Sequence, residues 1–468
     1  MRYLIDRYLR VRSLTLLLLD MAVIALVTGI AVWLRLGHTF DYTFSARGYG
    51  YPIILILLVH MVALYYHELY SLRGQVAVKN LGVAVAQSVA IASAGLFGIY
   101  YLVPQLAIGR GIFLINMLLL PPLLTATRVL YLWMGSKEAL LERVAVLGEP
   151  EPIAELVERI SGQPDYHLVG VIRPGSDEAA GKDGEEAHKG HGLPLLGRAR
   201  DLRRLVPQHD VDTILVAMRE RRGRLPMEDL LYFKLLGVKV DNQDDFLERV
   251  TGRVPVTGLP PSSLIFSEGF RRIDLYQRVK IIPDAIMALV LLIVLSPLLL
   301  GLALLVRMDS KGPALYRQTR VGRAGQLFQI AKFRTMRTDA EAAGAQFAQD
   351  GDPRITRVGR YLRNLRLDEL PQLFNVLRGE MAFVGPRPER PEFVQELQEK
   401  VPYYYLRTVV RPGITGWAQI RYPYGETVKQ HREKLEHDLY YIKNISLALD
   451  MMIAFDTVRV MLFVRGSR

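Results

Sequence analysis

Four apolar runs crowd the first 135 residues, at about Leu14–Leu34, Tyr51–Tyr66, Leu81–Val103 and Ile112–Met134. Each approaches the ~20 residues that a helix needs to cross ~30 Å of hydrocarbon, and the second is the shortest. Short loops join them, which leaves too little polar surface for a soluble domain. The first run is also too long for a signal-peptide core, and no small-residue cleavage site closes it. A four-helix transmembrane bundle is the expectation. Pro121-Pro122 falls inside the fourth run, where neighbouring helices must cover the carbonyls that proline frees.

Basic residues set the orientation. Arg2, Arg7, Arg10 and Arg12 precede the first run, Arg73 and Lys79 separate the second from the third, and Lys137 and Arg143 follow the fourth. The opposite loops hold Arg35, Arg47 and Arg110. The bias puts both ends of the bundle on the cytoplasmic side. The whole chain carries a formal charge of +12, which calls for an anionic partner such as lipid headgroups or a phosphorylated substrate. Nucleic acid fits least, since the cations flank apolar spans or cluster near the C-terminus and no aromatic-rich RNA-binding motif is present. With no cysteine, disulfides, thiolate metal sites and cysteine nucleophiles are excluded.

The segments RVAVL (143–147), HLVGVIRP (167–174) and VDTILVAM (211–218) read as buried strands, with helical patterns such as LLYFKLLG (230–237) after them. That alternation predicts a small parallel, Rossmann-like α/β domain. Its first turn has one glycine, Gly148, followed by EPEP. The glycines that would admit a pyrophosphate are missing and the acidic residues repel phosphate, so a structural or regulatory role is favoured over dinucleotide binding. The polar, Gly-rich stretch 174–192 reads as a mobile loop. This front half also resembles membrane-bound nucleotide-sugar dehydratases. Tyr276 and Lys280 have the Tyr-x-x-x-Lys spacing of those enzymes, but no GxGxxG precedes them.

A fifth apolar segment, 281–306, holds one charge, Asp284, with basic residues on both sides and Ser296-Pro297 in its middle. Proline there removes a helical hydrogen bond and crowds the preceding turn. A bent helix that dips into the inner leaflet and returns, and an ordinary kinked spanning helix, are evenly matched on these grounds.

Beyond it lie KFRTM (332–336), RLDELPQLFNVLRGEM (366–381), VGPRP (384–388) and RPGITG (411–416). Separately, each has an ordinary explanation: acidic residues at a helix start, a turn, a solvated basic edge. Together, Lys332, Arg334, Arg363, Arg366, Arg387, Arg390 and Arg411 far outnumber what Asp368 and Glu369 can neutralise. Arginine suits bidentate phosphate binding. Two carboxylates near a phosphate call for a divalent cation between them, and hard oxygen ligands favour Mg²⁺. The combination describes a phosphoryl-transfer site, in which a carboxylate may also serve as nucleophile.

From about residue 275 onward these motifs, in this order, resemble the bacterial sugar transferases, the monotopic phosphoglycosyl transferases. With the four spans and the α/β domain, the chain resembles that family's long form. The resemblance implies three domains: a transmembrane bundle (1–138), a Rossmann-like α/β domain (139–255) and a mainly α catalytic domain (256–468) with a re-entrant helix at 281–306. It implies transfer of a sugar-1-phosphate from a UDP-sugar to undecaprenyl phosphate with release of UMP and with Mg²⁺, as the first membrane step of exopolysaccharide or O-antigen synthesis. It implies a homodimer in the bacterial inner membrane, in contact with inner-leaflet lipids, with its catalytic domain cytoplasmic. Position by position, Asp368 would be the nucleophile and Glu369 a Mg²⁺ ligand. Lys332, Arg334, Arg363, Arg387 and Arg411 would face phosphates, and Pro386 and Pro388 would shape that pocket. Ser296 and Pro297 match the family's helix break, which tips the balance to a re-entrant helix. Arg366 departs from the family, whose members often carry a small polar residue there. A catalytically silent scaffold and a membrane-bound dehydratase are the alternatives; the first has no use for the carboxylates and arginines, and the second lacks its dinucleotide turn.

Overall fold

The computed structural model describes residues 11–36, 50–67, 69–70, 78–135, 141–160, 166–174, 192–218, 225–256, 270, 273–338, 340, 352–422 and 427–463. The polar stretch 174–192 and many of the basic flanks lie largely outside these residues. The chain divides into two compact units, Met1–Phe246 and Leu247–Arg468.

The first unit opens with α1 (Val11–Leu36), α2 (Gly50–Tyr66), α3 (Val78–Leu102) and α4 (Arg110–Gly135). α1, α3 and α4 are long and apolar enough to cross a membrane, while α2, at 17 residues, is apolar but shorter. Ile24, Ile56, Leu64, Val85, Val89, Leu120 and Leu124 form their shared core. The outer faces are apolar as well, with Leu26, Trp33, Leu58, Phe97 and Leu118 exposed. Helices hydrophobic on every side need an apolar solvent. α4 runs through Pro121 and Pro122, and Thr125 Oγ1 donates to the Pro121 carbonyl at 2.7 Å. One charged pair crosses this apolar core: Arg128 Nη2 of α4 donates to Asp20 Oδ2 of α1 at 2.5 Å, both fully buried.

A five-stranded sheet follows, from β1 (Glu142–Gly148), β2 (Tyr166–Arg173), β3 (Leu195–Arg198), β4 (Thr213–Ala217) and β5 (Lys239–Asn242). Its order is β3-β2-β1-β4-β5, parallel throughout. Helices α5 (Pro150–Ile160), α6 (Leu202–Gln208) and α7 (Met227–Leu235) connect its strands. Gly148 serves the sheet itself: a Cβ there would lie 2.2 Å from the Ala217 carbonyl oxygen. The lone glycine is needed for close approach of β1 to β4, at the position where a dinucleotide fold would open toward pyrophosphate.

In the second unit, α8 (Ile273–Val294) and α9 (Ser296–Asp309) meet at a 66° bend. Ser296 Oγ donates to the Ile293 carbonyl at 2.8 Å, satisfying one acceptor released at the break. Pro297 sits in the first turn of α9, where its missing N–H costs nothing. An antiparallel hairpin, β6 (Leu315–Val321) and β7 (Leu327–Phe333), is followed by α10 (Arg357–Asn364), a 3₁₀ turn Leu367–Gln372 and α11 (Leu373–Leu377). Then come β8 (Ala382–Val384), α12 (Pro391–Lys400), a 3₁₀ turn Tyr404–Val409, β9 (Gly413–Thr415) and α13 (Trp417–Arg421). The unit ends with α14 (Val428–Lys443), opened by a Thr427–Gln430 capping box, and α15 (Leu447–Phe463). Ala288 and Leu292 of α8 pack with Phe328, Ile330, Leu373 and Val376. Residues 247–256, expected with the α/β domain, fall in this unit, where Trp417 Nε1 donates to the Gly252 carbonyl at 2.9 Å.

The Asp20–Arg128 pair gives a direct test of the bundle. Asp20→Leu leaves a buried guanidinium uncompensated and is expected to cost about 3–5 kcal/mol. The double variant Asp20→Leu/Arg128→Leu is expected to recover most of that loss in thermal unfolding in nanodiscs.

Candidate active site

The acidic pair lies on the 3₁₀ turn Leu367–Gln372, which contains Pro371. Just before it, Arg366 adopts a left-handed backbone with φ 53°. A side chain there costs about 1–2 kcal/mol relative to glycine, so the turn is held in a strained entry by its surroundings. α10 delivers Arg363 from the other side. It starts at Thr356, whose Oγ1 accepts from Gly359 N at 3.0 Å, and it packs Leu362 against Val306 of α9 and Phe333 of β7.

Three segments distant in sequence meet at Glu369. Lys332 Nζ of β7 and Arg387 Nη2 both donate to its Oε1 at 3.0 Å. Burial opposes charge on Glu369, but Lys332 and Arg387 outweigh it and hold the carboxyl well below the usual carboxylate range. Asp368 is pushed the other way: burial raises it, while Lys332, Arg387 and Arg363 only partly offset this and Glu369 adds to it. Adjacent carboxyls driven apart in this way can take separate roles.

Asn375, unremarked in the sequence, fixes Lys332. Its Oδ1 accepts from Ala331 N at 3.0 Å and its Nδ2 donates to the Gln329 carbonyl at 2.7 Å. One amide side chain thus continues the ladder along the edge of β7 and sets the strand beside the acidic turn. The same Nδ2 donates to Glu380 at 2.7 Å.

The Pro386-Arg387-Pro388 segment is held by every carbonyl. Pro386 O accepts from Gly413 N, Arg387 O from Arg407 Nη2 and Pro388 O from Arg320 Nη1, each at 3.0 Å. Gly413 comes from RPGITG, and the two glycine motifs interlock. A Cβ on Gly385 would lie 2.4 Å from the Arg411 carbonyl oxygen, and one on Gly416 would lie 2.2 Å from the Gly385 carbonyl oxygen. β8 and β9 pair in parallel around this contact.

Two expected phosphate ligands are placed elsewhere. Arg334 is buried and donates to the Lys311 carbonyl at 2.9 Å, the Ser310 carbonyl at 2.6 Å and Ser310 Oγ at 2.9 Å, closing the end of α9. Arg411 is also buried, donating to the Gln277 carbonyl at 3.1 Å and facing Asp284 at 3.6 Å. Both guanidiniums are spent on framework carbonyls, a choice that KFRTM and RPGITG do not reveal. The Tyr276–Lys280 pair also finds its reason. One turn apart on α8, both reach Asp450 of α15, at 2.8 and 2.5 Å. Lys280 Nζ also donates to the Val384 carbonyl at 2.9 Å, at the entrance to Gly385.

A broken apolar helix, with a buried Glu369 and a half-buried Asp368 beside lysine and arginine, fits a site for anionic groups. Comparison with known proteins narrows it. Residues 275–464 match the family described as bacterial sugar transferase. A UDP-glucose:undecaprenyl-phosphate glucose-1-phosphate transferase of Xanthomonas campestris pv. campestris is 34% identical over 338 residues, 69% of this chain and 67% of that protein. A similarly named Escherichia coli (strain K12) protein is 34% identical over 332 residues, 67% and 66% of the two chains. An Aeromonas hydrophila UDP-N-acetylgalactosamine-undecaprenyl-phosphate N-acetylgalactosaminephosphotransferase is 45% identical over 221 residues, 47% of this chain and about half of its own length, 52%. The chain belongs to the bacterial sugar transferase family.

Because the atoms facing Gly385 are backbone, they cannot swing aside. Gly385→Ala is expected to cost about 3 kcal/mol, at the upper end of over-packing, and to lower the unfolding midpoint. An unchanged midpoint would show that β8 and β9 are not locked together there.

Proposed function

We propose that this protein transfers a sugar-1-phosphate from a UDP-sugar to undecaprenyl phosphate, through a phospho-sugar ester of Asp368. The observation that carries this is Glu369 clamped by Lys332 and Arg387 beside a desolvated Asp368. An ionised Asp368 oxygen attacks the β-phosphorus, and the bond from that phosphorus to the bridging oxygen breaks. UMP leaves with the electron pair, and an acyl-phosphate remains on Asp368. A phosphate oxygen of the lipid then attacks the same phosphorus, forming the lipid diphospho-sugar and freeing the carboxylate. Lys332, Arg363 and Arg387 would hold the phosphate oxygens, with Arg387 fixed from behind by Arg407 and flanked by Pro386 and Pro388. Such preorganised charge is most effective where water is scarce.

Mg²⁺ fits the donor set. Among the described residues no three His, Cys, Asp or Glu side chains gather as a metal cage. Mg²⁺ instead keeps waters and takes one or two carboxylates plus substrate phosphates. Glu369 would be its ligand, with Asp368 alongside, and when bound it would neutralise charge on the pyrophosphate.

The bend between α8 and α9 supports a re-entrant segment. α9 has 14 residues, about 21 Å at helical rise, short of the ~30 Å core. The polar ends of both limbs bind the same unit: Lys280 of α8 at Val384, and Ser310 beyond α9 at Arg334. A spanning helix would part them to opposite faces. In this reading four spans precede the α/β domain, the catalytic unit is cytoplasmic on the bacterial inner membrane against inner-leaflet lipids, and the protein works as a homodimer in exopolysaccharide or O-antigen assembly.

Asp368→Asn is expected to abolish UMP release from a panel of UDP-sugars with Mg²⁺ and undecaprenyl phosphate. Retention within a few-fold of wild type would contradict the covalent route. Without lipid acceptor, the wild type should release about one UMP per site. Asp368 must be ionised to attack, and burial raises its pKa. Activity should therefore be full above that raised pKa and lost as pH falls through it. The acid limb of kcat/KM is expected above the ~3.9 of an ordinary aspartate; a limb at or below that value would sink the assignment.

A further inference from the structure

Arg387 has a second face. Besides reaching Glu369, it lines a cleft with Glu389, Arg407, Gln419, Tyr422, Lys434 and Asp438 among its walls. Asp368 and Glu369 do not line it; Arg387 is common to the cleft and the carboxylate pair.

Glu389 is the most informative wall. One carboxyl oxygen faces Arg407 and the other Arg320, each at 3.8 Å. That separation compensates charge but exceeds hydrogen-bond length, so toward the described residues both oxygens keep acceptor capacity. Burial disfavours its charge, yet Arg407, Lys434 and Arg320 hold its carboxyl below the usual range, and it stays an anion. Gln419 adds a buried amide oxygen with no hydrogen-bond partner among the described residues, while its Nε2 donates to the Ile414 carbonyl at 3.2 Å. Lys434 brings donors and Tyr422 an aromatic ring. The floor is fixed: Arg407, which holds the Arg387 carbonyl, also pairs with Asp438 at 2.9 Å.

The wall sets two carboxylates, Glu389 and Asp438, beside the cations Arg387, Arg407 and Lys434. They suit a ring with neighbouring hydroxyls, which donate to carboxylates and accept from an ammonium. We propose that the cleft binds a hydroxylated ring of the donor, its ribose or its hexose, next to the phosphates at Arg387, with Glu389 the principal hydroxyl acceptor. This rests on the sugar-phosphate transfer reading above.

The test is equilibrium binding of UMP, UDP-glucose and UDP-N-acetylgalactosamine to the full chain in nanodiscs, in an Asp368→Asn background that blocks turnover. Glu389→Gln keeps the shape and removes the charge; it is expected to weaken UDP-sugar binding about tenfold or more. Equal weakening of UMP assigns the cleft to ribose, and weakening of the UDP-sugars alone assigns it to the hexose. Gln419→Ala and Tyr422→Leu, at the part-exposed wall, carry the test if Glu389→Gln does not fold. If the folded variants bind all three ligands as the parent does, the proposal is overturned. Failure of the transfer reading looks different: the wild type would release no UMP from any UDP-sugar.

Discussion

The catalytic unit is organised around one buried carboxylate. Glu369 would be costly to hold as an anion away from water unless its partners are fixed. Lys332 arrives on a hairpin strand and Arg387 on the segment after β8, each bonded to the same oxygen. Much of the surrounding structure serves to keep those two cations still. Asn375 pins the edge of β7, the Arg320 and Arg407 guanidiniums hold carbonyls behind Arg387, and Lys280 holds the carbonyl of Val384. The same arrangement leaves Asp368 partly desolvated.

Local patterns in the sequence carried the architecture well. Apolar runs of membrane length and the alternation of strand with helix are short-range signals, and α1 to α4, β1, β2 and β4 fall where they indicate. β3 and β5, four residues each, are too short to show a period. At the site, Asp368, Glu369, Lys332 and Arg387 were legible as motif positions and meet in space. Arg334 and Arg411, expected to face phosphates, bond framework carbonyls, and that was not legible because Ser310 and Gln277 are distant in the chain. The Tyr276–Lys280 spacing was correctly set aside as a dehydratase signature, but its real partner, Asp450, lies 174 residues from Tyr276.

Buried charge does a different job in each unit. In the bundle, Asp20 and Arg128 pair between α1 and α4 beside Tyr70, a feature that fixes which helices become neighbours in a solvent without hydrophobic selectivity. In the catalytic unit the charges form chains: Asp284 to Arg411, Arg411 to Gln277, and Lys280 to Asp450 and Tyr441. These link the polar end of α8 to the motif segments on either side of Gly385.

That linkage suggests why RPGITG accompanies VGPRP so far away in sequence. Gly385, Gly413 and Gly416 bring two backbones into contact that no side chain would allow. The contact alone would be a weak hinge, because glycine adds no packing of its own. Arg411 and Lys280 anchor both strands to α8, so the interlock is tied to a long helix. A displacement of the bent helix would therefore reach Arg387 through the Lys280 and Arg411 side chains and then the backbone hydrogen bonds of the interlock. The bent helix acts as a mount for the segment that carries Arg387.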